Sequence, residues 1–169
     1  MSDAIPAAGT PAPAFTLPDQ DGRAVSLGDY SGRWLVLYFY PRDNTKGCTV
    51  EALEFSALRE DFERAGASVA GVSRDTPDSH RRFIESRGLS LTLLSDPERI
   101  AHEAYGAWRR KKLYGRETMG TVRSTFLVDP RGIIAHVWPS VRASGHGAKV
   151  LEVLRRHAGA NDPPEGASR

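Results

Sequence analysis

The sequence predicts an α/β fold: a three-layer sandwich with a mixed central sheet, helices on both faces and a β-hairpin at its amino-terminal end. The 169 residues suffice for one domain with a real core and are too few for two typical domains. Apolar segments of strand length alternate with helical segments, which favours parallel pairing of the strands between them. Two late strand segments are joined by a tight turn, which adds antiparallel strands to the sheet.

The first half of the chain contains the amino-terminal hairpin, the central strand and the first helix. Alternating segments at 15–17 and 24–27 flank turn residues and predict the hairpin. Residues 34–39 are apolar at every position and too few for a helix, which indicates a central strand buried on both faces. After a polar stretch at 41–47, apolar residues recur at three- and four-residue spacing and predict one helix over 48–64.

The second half continues this alternation with clearer boundary signals. Thr76 followed by Pro77 is a typical helix start, and Gly88 is a typical helix end. The same kinds of signal predict strands at 67–72, 91–94, 123–128 and 133–138, helices at 76–87, 96–105 and 145–157, and a long basic connection at 106–121. The folded domain is expected to span residues 11–158, between flexible ends at 1–10 and 159–169.

Composition and charge exclude several classes of partner. The chain has 23 Lys and Arg residues against 21 Asp and Glu, and the net charge of +2 is too small to indicate a nucleic-acid binder. The basic run at 109–112 is interpreted as a solvated face. The longest apolar run, 34–40, is far shorter than the roughly 18 residues that span a membrane. The five histidines lack metal-ligand spacing, so we expect surface or helix-capping roles for them and no metal.

Cys48 is the only cysteine, which excludes a disulfide within these 169 residues and a cysteine-based metal cluster. The first residues do not resemble a signal peptide, and the chain has a single thiol. Both observations indicate a reducing compartment, and we expect the cytoplasm. Cys48 lies where the loop after the central strand becomes a helix, and unpaired backbone N–H groups there favour an anion such as a thiolate. A helix end contributes only about 0.3 to 1 kcal/mol, so a cation and further hydrogen-bond donors are expected near the sulfur.

The cysteine and two residues before it carry a family resemblance. The segment at 40–51, YPRDNTKGCTVE, resembles the active-site loop of the peroxiredoxins, because Pro41, Thr45 and Cys48 match its P-x-x-x-T-x-x-C pattern. The resemblance is closest to the PrxQ type, also called the bacterioferritin comigratory protein type. Further matching blocks are found at 71–75, 79–80, 93–96, 105–106, 123–129 and 145–146, so the resemblance covers nearly the whole chain. It implies a thioredoxin-like sandwich, a peroxidase without cofactor or metal, and a monomer.

The resemblance also implies roles for the site residues. Cys48 is expected to attack the peroxide, the Thr45 hydroxyl to contact the sulfur or the peroxide, and Pro41 to fix and shield the loop. The family's active-site arginine maps onto Arg123, whose guanidinium is expected to stabilise the thiolate and donate to both peroxide oxygens. Without the resemblance, Arg123 is interpreted as a solvated strand end. Glu51 is expected to orient Arg123 through a carboxylate–guanidinium contact, with an ordinary first-turn helix acid as the competing interpretation.

Two positions depart from the PrxQ pattern. Leu53 stands where many members carry a resolving cysteine, five residues after the reacting one, and the following helix has no cysteine either. The expected reduction of hydrogen peroxide or an organic hydroperoxide therefore leaves a Cys48 sulfenic acid that an external thiol must reduce. Thioredoxin, a glutaredoxin-like protein and a low-molecular-weight thiol all stay open as that reductant. Lys46 replaces a usual proline and is interpreted either as a source of positive potential or as an exposed loop residue.

Two other functions stay open from the sequence. One is a peroxide-sensing or interaction module with little turnover, in which oxidation of Cys48 alters a partner surface; the missing resolving cysteine favours it. The other is a thioredoxin-fold scaffold with an inert, buried thiol. Repeated turnover with a thiol reductant is expected of the enzyme and not of the sensing module. Fast alkylation of Cys48 is expected of both and not of the scaffold.

Overall fold

A five-stranded mixed sheet forms the centre of the molecule, as the sequence predicts. The structure is a computed structural model that describes residues 4–161. Its strands are β1 (Thr16–Pro18), β2 (Ala24–Ser26), β3 (Trp34–Phe39), β4 (Ala67–Ser73), β5 (Thr92–Ser95), β6 (Trp108–Leu113), β7 (Arg116–Thr121), β8 (Ser124–Val128) and β9 (Ile134–Trp138). Its α-helices are α1 (Lys46–Ala57), α2 (Arg59–Arg64), α3 (Pro77–Arg87), α4 (Ile100–Ala104) and α5 (His146–Asn161). The central sheet has the order β5-β4-β3-β8-β9, with β3, β4 and β5 parallel and β8 and β9 antiparallel to their neighbours.

Strand β3 lies at the centre because both of its faces are apolar. All six of its residues are buried, and alternate side chains enter two separate cores. Val36 and Tyr38 pack in the core that α1, α2, α3 and α5 cover. Leu37 and Phe39 pack in the core covered by the β1–β2 hairpin and α4. The expected three-layer, thioredoxin-like arrangement is therefore confirmed.

The elements with strong local signals match their predicted bounds. The central strand covers the six predicted residues. In α3, the Thr76 side chain accepts a hydrogen bond from Ser79 N at 3.2 Å, and Gly88 ends the helix in the left-handed conformation with φ +63°. Because such signals lie within a few consecutive residues, the sequence alone places these boundaries.

The single helix predicted over 48–64 is wrong at Leu58, where the backbone (φ −97°, ψ 6°) separates α1 from α2. Phe55 and Phe62 on either side of this break are both fully buried, with ring centroids 5.8 Å apart. Seven residues of continuous helix advance by about 10.5 Å along the axis. The break thus brings both rings into close contact in one core.

The long connection predicted over 106–121 is also wrong, because it forms a second β-hairpin. Strands β6 and β7 pair antiparallel from Trp108 opposite Thr121 to Leu113 opposite Arg116. The turn residues Tyr114 and Gly115 both have positive φ, 53° and 77°, as a two-residue hairpin turn of type I′ requires. Consecutive basic residues in β6 remove the apolar alternation that identifies strands, so the hairpin carries no period-two signal.

Both predicted flexible ends lie partly outside the described residues, which exclude 1–3 and 162–169. Within the first, Gly9 N donates to Ile134 O at 2.7 Å and Ile134 N donates to Thr10 O at 2.9 Å. Helix α5 continues to Asn161, three residues into the second. Across residues 4–161, no helix has the length and apolar character needed to cross a membrane.

Candidate active site

Cys48 is the third residue of α1, directly after the loop that leaves β3. Thr45 caps this helix with extended backbone (φ −87°, ψ 162°), so the chain turns into the helix at that residue. The cysteine is 1% exposed. The residue belongs to the first turn of the helix, where the macrodipole stabilises negative charge.

Arg123 reaches the sulfur from the position just before the neighbouring strand, β8. Its Nη2 donates to Cys48 Sγ at 3.4 Å, and its Nη1 donates to Glu51 Oε1 at 2.6 Å. The sheet explains this approach, because β3 and β8 are antiparallel with Phe39 opposite Ser124. The end of β3, which leads to the cysteine, therefore meets the start of β8, which follows the arginine.

Glu51 lies one turn after Cys48 and is fully buried. Its Oε1 accepts the Arg123 hydrogen bond, whereas Oε2 is buried without a hydrogen-bond donor among the described residues. Burial raises the pKa of Glu51 from its ordinary value of 4.5 to about 7, and the positive charge of Arg123 opposes that rise. The expected contact between Glu51 and the guanidinium is thus present, with the carboxylate only half satisfied.

Gly47 leaves room for the guanidinium beside the helix start. A Cβ atom at this position would lie 3.1 Å from Arg123 Nη2. Such a contact is tight for a charged group that must also donate hydrogen bonds. The absence of a side chain at Gly47 therefore lets Arg123 bridge Cys48 and Glu51.

The other residues predicted for the site lie in the loop after β3 and at the start of α1. Thr45 is exposed, and its hydroxyl donates to the carbonyl of Arg42 at 3.0 Å. Among the contacts of residues 4–161, no hydrogen bond joins the Thr45 hydroxyl to the Cys48 sulfur. Pro41 is half-buried at the start of the loop, and Lys46 is exposed at the first position of α1. Thr45 therefore lies at the helix start, three residues before the sulfur.

A buried network that the sequence did not predict holds the loop. Asp43 accepts hydrogen bonds from Tyr40 Oη at 2.6 Å and Ser79 Oγ at 2.8 Å, and its Oδ2 lies 2.8 Å from His80 Nδ1. The other ring nitrogen of His80 lies 3.0 Å from the Leu94 carbonyl oxygen. His80 is fully buried, so the expected surface or capping role is wrong for it. The network joins the active-site loop to α3 and β5.

Asp43, Asp75 and His80 bring possible metal-ligand atoms within 4.8 Å of one another. These atoms are already used in hydrogen bonds, since Asp75 Oδ2 accepts from Asp43 N at 2.8 Å and from Ser73 Oγ at 2.6 Å. Satisfied donors and acceptors of this kind indicate a structural hydrogen-bond network. We therefore assign these residues to holding the loop.

A second unpredicted network lies beside Arg123. Thr121 Oγ1 is 3.0 Å from His102 Nε2, and His102 Nδ1 is 2.7 Å from Asp96 Oδ2. From the β6–β7 hairpin, Lys111 Nζ donates to Thr121 O at 2.7 Å. Burial, together with the positive charge of Arg123, lowers the pKa of Lys111. The one local signal for this hairpin is Gly115 at its turn; nothing in the sequence marks His102 as buried.

The comparisons with known proteins point to one family. A family model described as AhpC/TSA matches residues 8–137. Peroxiredoxin Bcp of Xanthomonas campestris pv. campestris is 41% identical over 160 residues, which cover 94% of this chain and 99% of that protein. A solved PrxQ mutant of Xylella fastidiosa has a TM-score of 0.87 at 37% identity and covers 92% of this chain and 99% of its own. The bacterioferritin comigratory protein of Xanthomonas campestris, whose structures concern its alkyl peroxide reduction activity, has a TM-score of 0.81 at 40% identity over 85% and 92% of the two chains.

The fold, the lone cysteine and these likenesses agree with one another. The family model covers most of the chain, and the Bcp relative aligns along nearly its whole length. The structural neighbours share both the sandwich and a substantial part of the sequence. The chain therefore belongs to the AhpC/TSA family and, within it, to the Bcp or PrxQ peroxiredoxins, a group of thiol-dependent peroxidases.

Proposed function

We propose that Cys48 is the reacting residue of a peroxidase for hydrogen peroxide and organic hydroperoxides. The observation that carries this proposal is the Arg123 guanidinium, which lies between the sulfur and the buried Glu51 carboxylate. The thiolate attacks the terminal peroxide oxygen, an S–O bond forms, and the O–O bond breaks. The sulfur becomes a sulfenic acid, and the departing hydroxide or alkoxide takes a proton from solvent to give water or an alcohol.

The surrounding residues support each part of this step. Arg123 stabilises the thiolate before the attack and the negative charge that grows on the leaving oxygen during it. Thr45, at the helix start, offers a hydroxyl oxygen to the incoming peroxide, and Pro41 holds the loop and shields the sulfur. Glu51 acts as a positioning residue, because its carboxylate fixes one arm of the guanidinium while the other reaches Cys48.

An external thiol completes the cycle. Leu53, where many PrxQ members have a resolving cysteine, is 43% exposed on α1 and offers no sulfur. One thiolate attacks the sulfenic sulfur and displaces hydroxide, which takes a proton from solvent to leave as water, and a mixed disulfide remains. A second thiol then cleaves this disulfide and restores Cys48. Thioredoxin, a glutaredoxin-like protein or a low-molecular-weight thiol can supply both.

Because the sulfur is buried, small thiols and protein thiols must reach it in different ways. Cys48 is 1% exposed within a formed helix, so a small thiol has to enter along the path that peroxide uses. A thioredoxin or glutaredoxin-like protein instead needs the first turn of α1 to open before its own thiol reaches the sulfur. A dependence of the resolving rate on urea, at concentrations that leave the protein folded, therefore distinguishes a protein reductant from a small one.

Stopped-flow mixing with hydrogen peroxide tests the proposal. Cys48→Ser is expected to abolish the reaction, because a hydroxyl does not ionise at this site. The matched control is the double variant Cys48→Ser/Leu53→Cys, which keeps one thiol on the same helix but places it on the exposed face. It is expected to react about as slowly as a free thiol. Fast peroxide reduction by either variant contradicts the assignment of Cys48.

A reductant screen followed by mass spectrometry of Cys48 tests the second half of the cycle. The enzyme is expected to turn over repeatedly with at least one of the three thiol classes, and the mixed disulfide identifies which one. A single stoichiometric oxidation that no thiol reverses contradicts the proposed turnover and supports the sensing module instead.

We also propose that the protein acts as a monomer in the cytoplasm. In the described part of the chain, few large apolar side chains are exposed: Leu53, Ile100, Tyr114 and Met119. The lone thiol suits a reducing compartment. Light scattering at micromolar concentration is expected to give the mass of one chain, and a dimer mass contradicts the proposal.

A further inference from the structure

A buried histidine contacts the backbone and a side chain just before Arg123, in addition to the pairing of Thr121 in the β6–β7 hairpin. His102 in α4 is fully buried, and its side chain meets Thr121 Oγ1 at 3.0 Å. Through the backbone, Ala107 N donates to the His102 carbonyl and Val122 N donates to the Ala107 carbonyl, both at 2.8 Å. Two separate links therefore run from His102 to the two residues that precede the arginine.

Asp96 fixes the orientation of this histidine. Its Oδ2 lies 2.7 Å from His102 Nδ1 and accepts a hydrogen bond from His102 N at 2.8 Å. A carboxylate accepts, so Nδ1 carries the hydrogen, and in the neutral imidazole Nε2 is then the acceptor for the Thr121 hydroxyl. The ring of Phe39 packs edge-on against the imidazole, with centroids 5.1 Å apart. The imidazole thus has one orientation, and Thr121 donates to it.

We propose that His102, held by Asp96, is a positioning residue that fixes Thr121 and thereby aims the Arg123 guanidinium at Cys48 and Glu51. This inference rests on the proposed role of Arg123. After the arginine, Val141 N donates to the Arg123 carbonyl at 2.9 Å, so the backbone is held on both sides. The guanidinium must span two partners at 2.6 and 3.4 Å, which leaves little tolerance for a shift of its own backbone.

A matched pair of variants at Thr121 tests the link. Thr121→Val keeps the shape but removes the hydroxyl, and it is expected to lower the second-order rate constant of Cys48 oxidation by peroxide about tenfold. Thr121→Ser retains the hydroxyl and is expected to stay within about twofold of the wild type. If both variants match the wild type, the proposal is overturned.

A double-mutant cycle separates positioning from a general loss of structure. In an Arg123→Lys background, Thr121→Val is expected to change the rate less than about twofold, because the group that it positions is absent. A tenfold loss that persists in that background shows that Thr121 acts independently of the arginine and overturns the proposal.

A second variant guards against misfolding of Thr121→Val. His102→Asn supplies an amide donor to Asp96 but no acceptor for Thr121, and it is expected to show the same tenfold loss and the same dependence on Arg123. Full activity in a folded His102→Asn protein overturns the inference. The proposed function fails separately, through an active Cys48→Ser variant or an Arg123→Lys variant that reacts as fast as the wild type.

Discussion

The two halves of the active site are each held by a buried Asp–His pair, and the two pairs end on different partners. In the loop half, His80 joins Asp43 to the Leu94 carbonyl. In the arginine half, His102 joins Asp96 to the Thr121 hydroxyl. A carbonyl oxygen only accepts hydrogen bonds, whereas a hydroxyl can also donate.

This difference gives the two halves different strengths. His80 donates from Nε2, while its Nδ1 and the Asp43 carboxylate share a second, charge-assisted hydrogen bond that Tyr40 and Ser79 reinforce. His102 is held by a similar carboxylate contact with Asp96, but its other ring nitrogen makes a single hydrogen bond with the Thr121 hydroxyl and has no further side chain to reinforce it among the described residues. We therefore expect changes in the loop half to lower stability strongly, and changes in the arginine half to act mainly on reactivity.

The largest expected effect is on the arginine itself. Arg123→Lys keeps the positive charge but cannot reach Cys48 and Glu51 together, because an ammonium lacks the planar fork. The second-order rate constant for peroxide in stopped flow is expected to fall about 100-fold. The control Arg131→Lys alters an exposed side chain in the β8–β9 turn and is expected to react normally. If the rate constant of Arg123→Lys stays within about twofold of the wild-type value, the arginine half has no part in the mechanism.

A substitution in the hydrogen-bond network of the loop half is expected to lower mainly the stability of the protein. Asp43→Asn replaces one of the two carboxylate oxygens that serve Tyr40, Ser79 and His80 with an NH2 donor and removes the negative charge, and the free energy of unfolding in urea is expected to fall by about 2 to 3 kcal/mol. Asp78→Asn, an exposed acid on the same helix as His80, is the control, with a change within about 0.5 kcal/mol. If Asp43→Asn slows peroxide reduction without loss of stability, the proposed difference between the halves is wrong.

Glu51, which joins the two halves, gives the smallest expected effect per pH unit. Because burial raises the pKa of Glu51 from 4.5 to about 7, the folded protein keeps a proton at pH values where the unfolded chain has already released it. Stability is therefore expected to fall as pH rises between these values, by about 1 kcal/mol per pH unit, and to level off above about pH 7.

Glu51→Gln removes this titration and retains an oxygen for the Arg123 hydrogen bond. Urea unfolding across the same pH window is expected to lose this part of the slope. The exposed Glu85→Gln on α3 is the control and is expected to keep it. An unchanged slope in Glu51→Gln assigns the pH dependence to other groups.

Local signals predicted most of the fold and the centre of the site. The bounds of β3 and α3 follow from apolar runs, a threonine cap and a glycine end, each contained in a few consecutive residues. The place of Cys48 at a helix start follows in the same way. The break at Leu58 and the β6–β7 hairpin were missed, because the apolar spacing over 48–64 continues past the first and consecutive charges hide the second.

The residue that carries the sulfur, its place at a helix start and the lack of a second cysteine within these 169 residues all follow from the amino-acid sequence. The surroundings of that sulfur follow from the packing of distant segments. The contact from Arg123 joins residues 75 positions apart, and the Asp43–His80 pair joins residues 37 apart. Strand order and register bring these groups together, and pairing of distant segments depends on the packing of the whole chain, which no short stretch of sequence encodes.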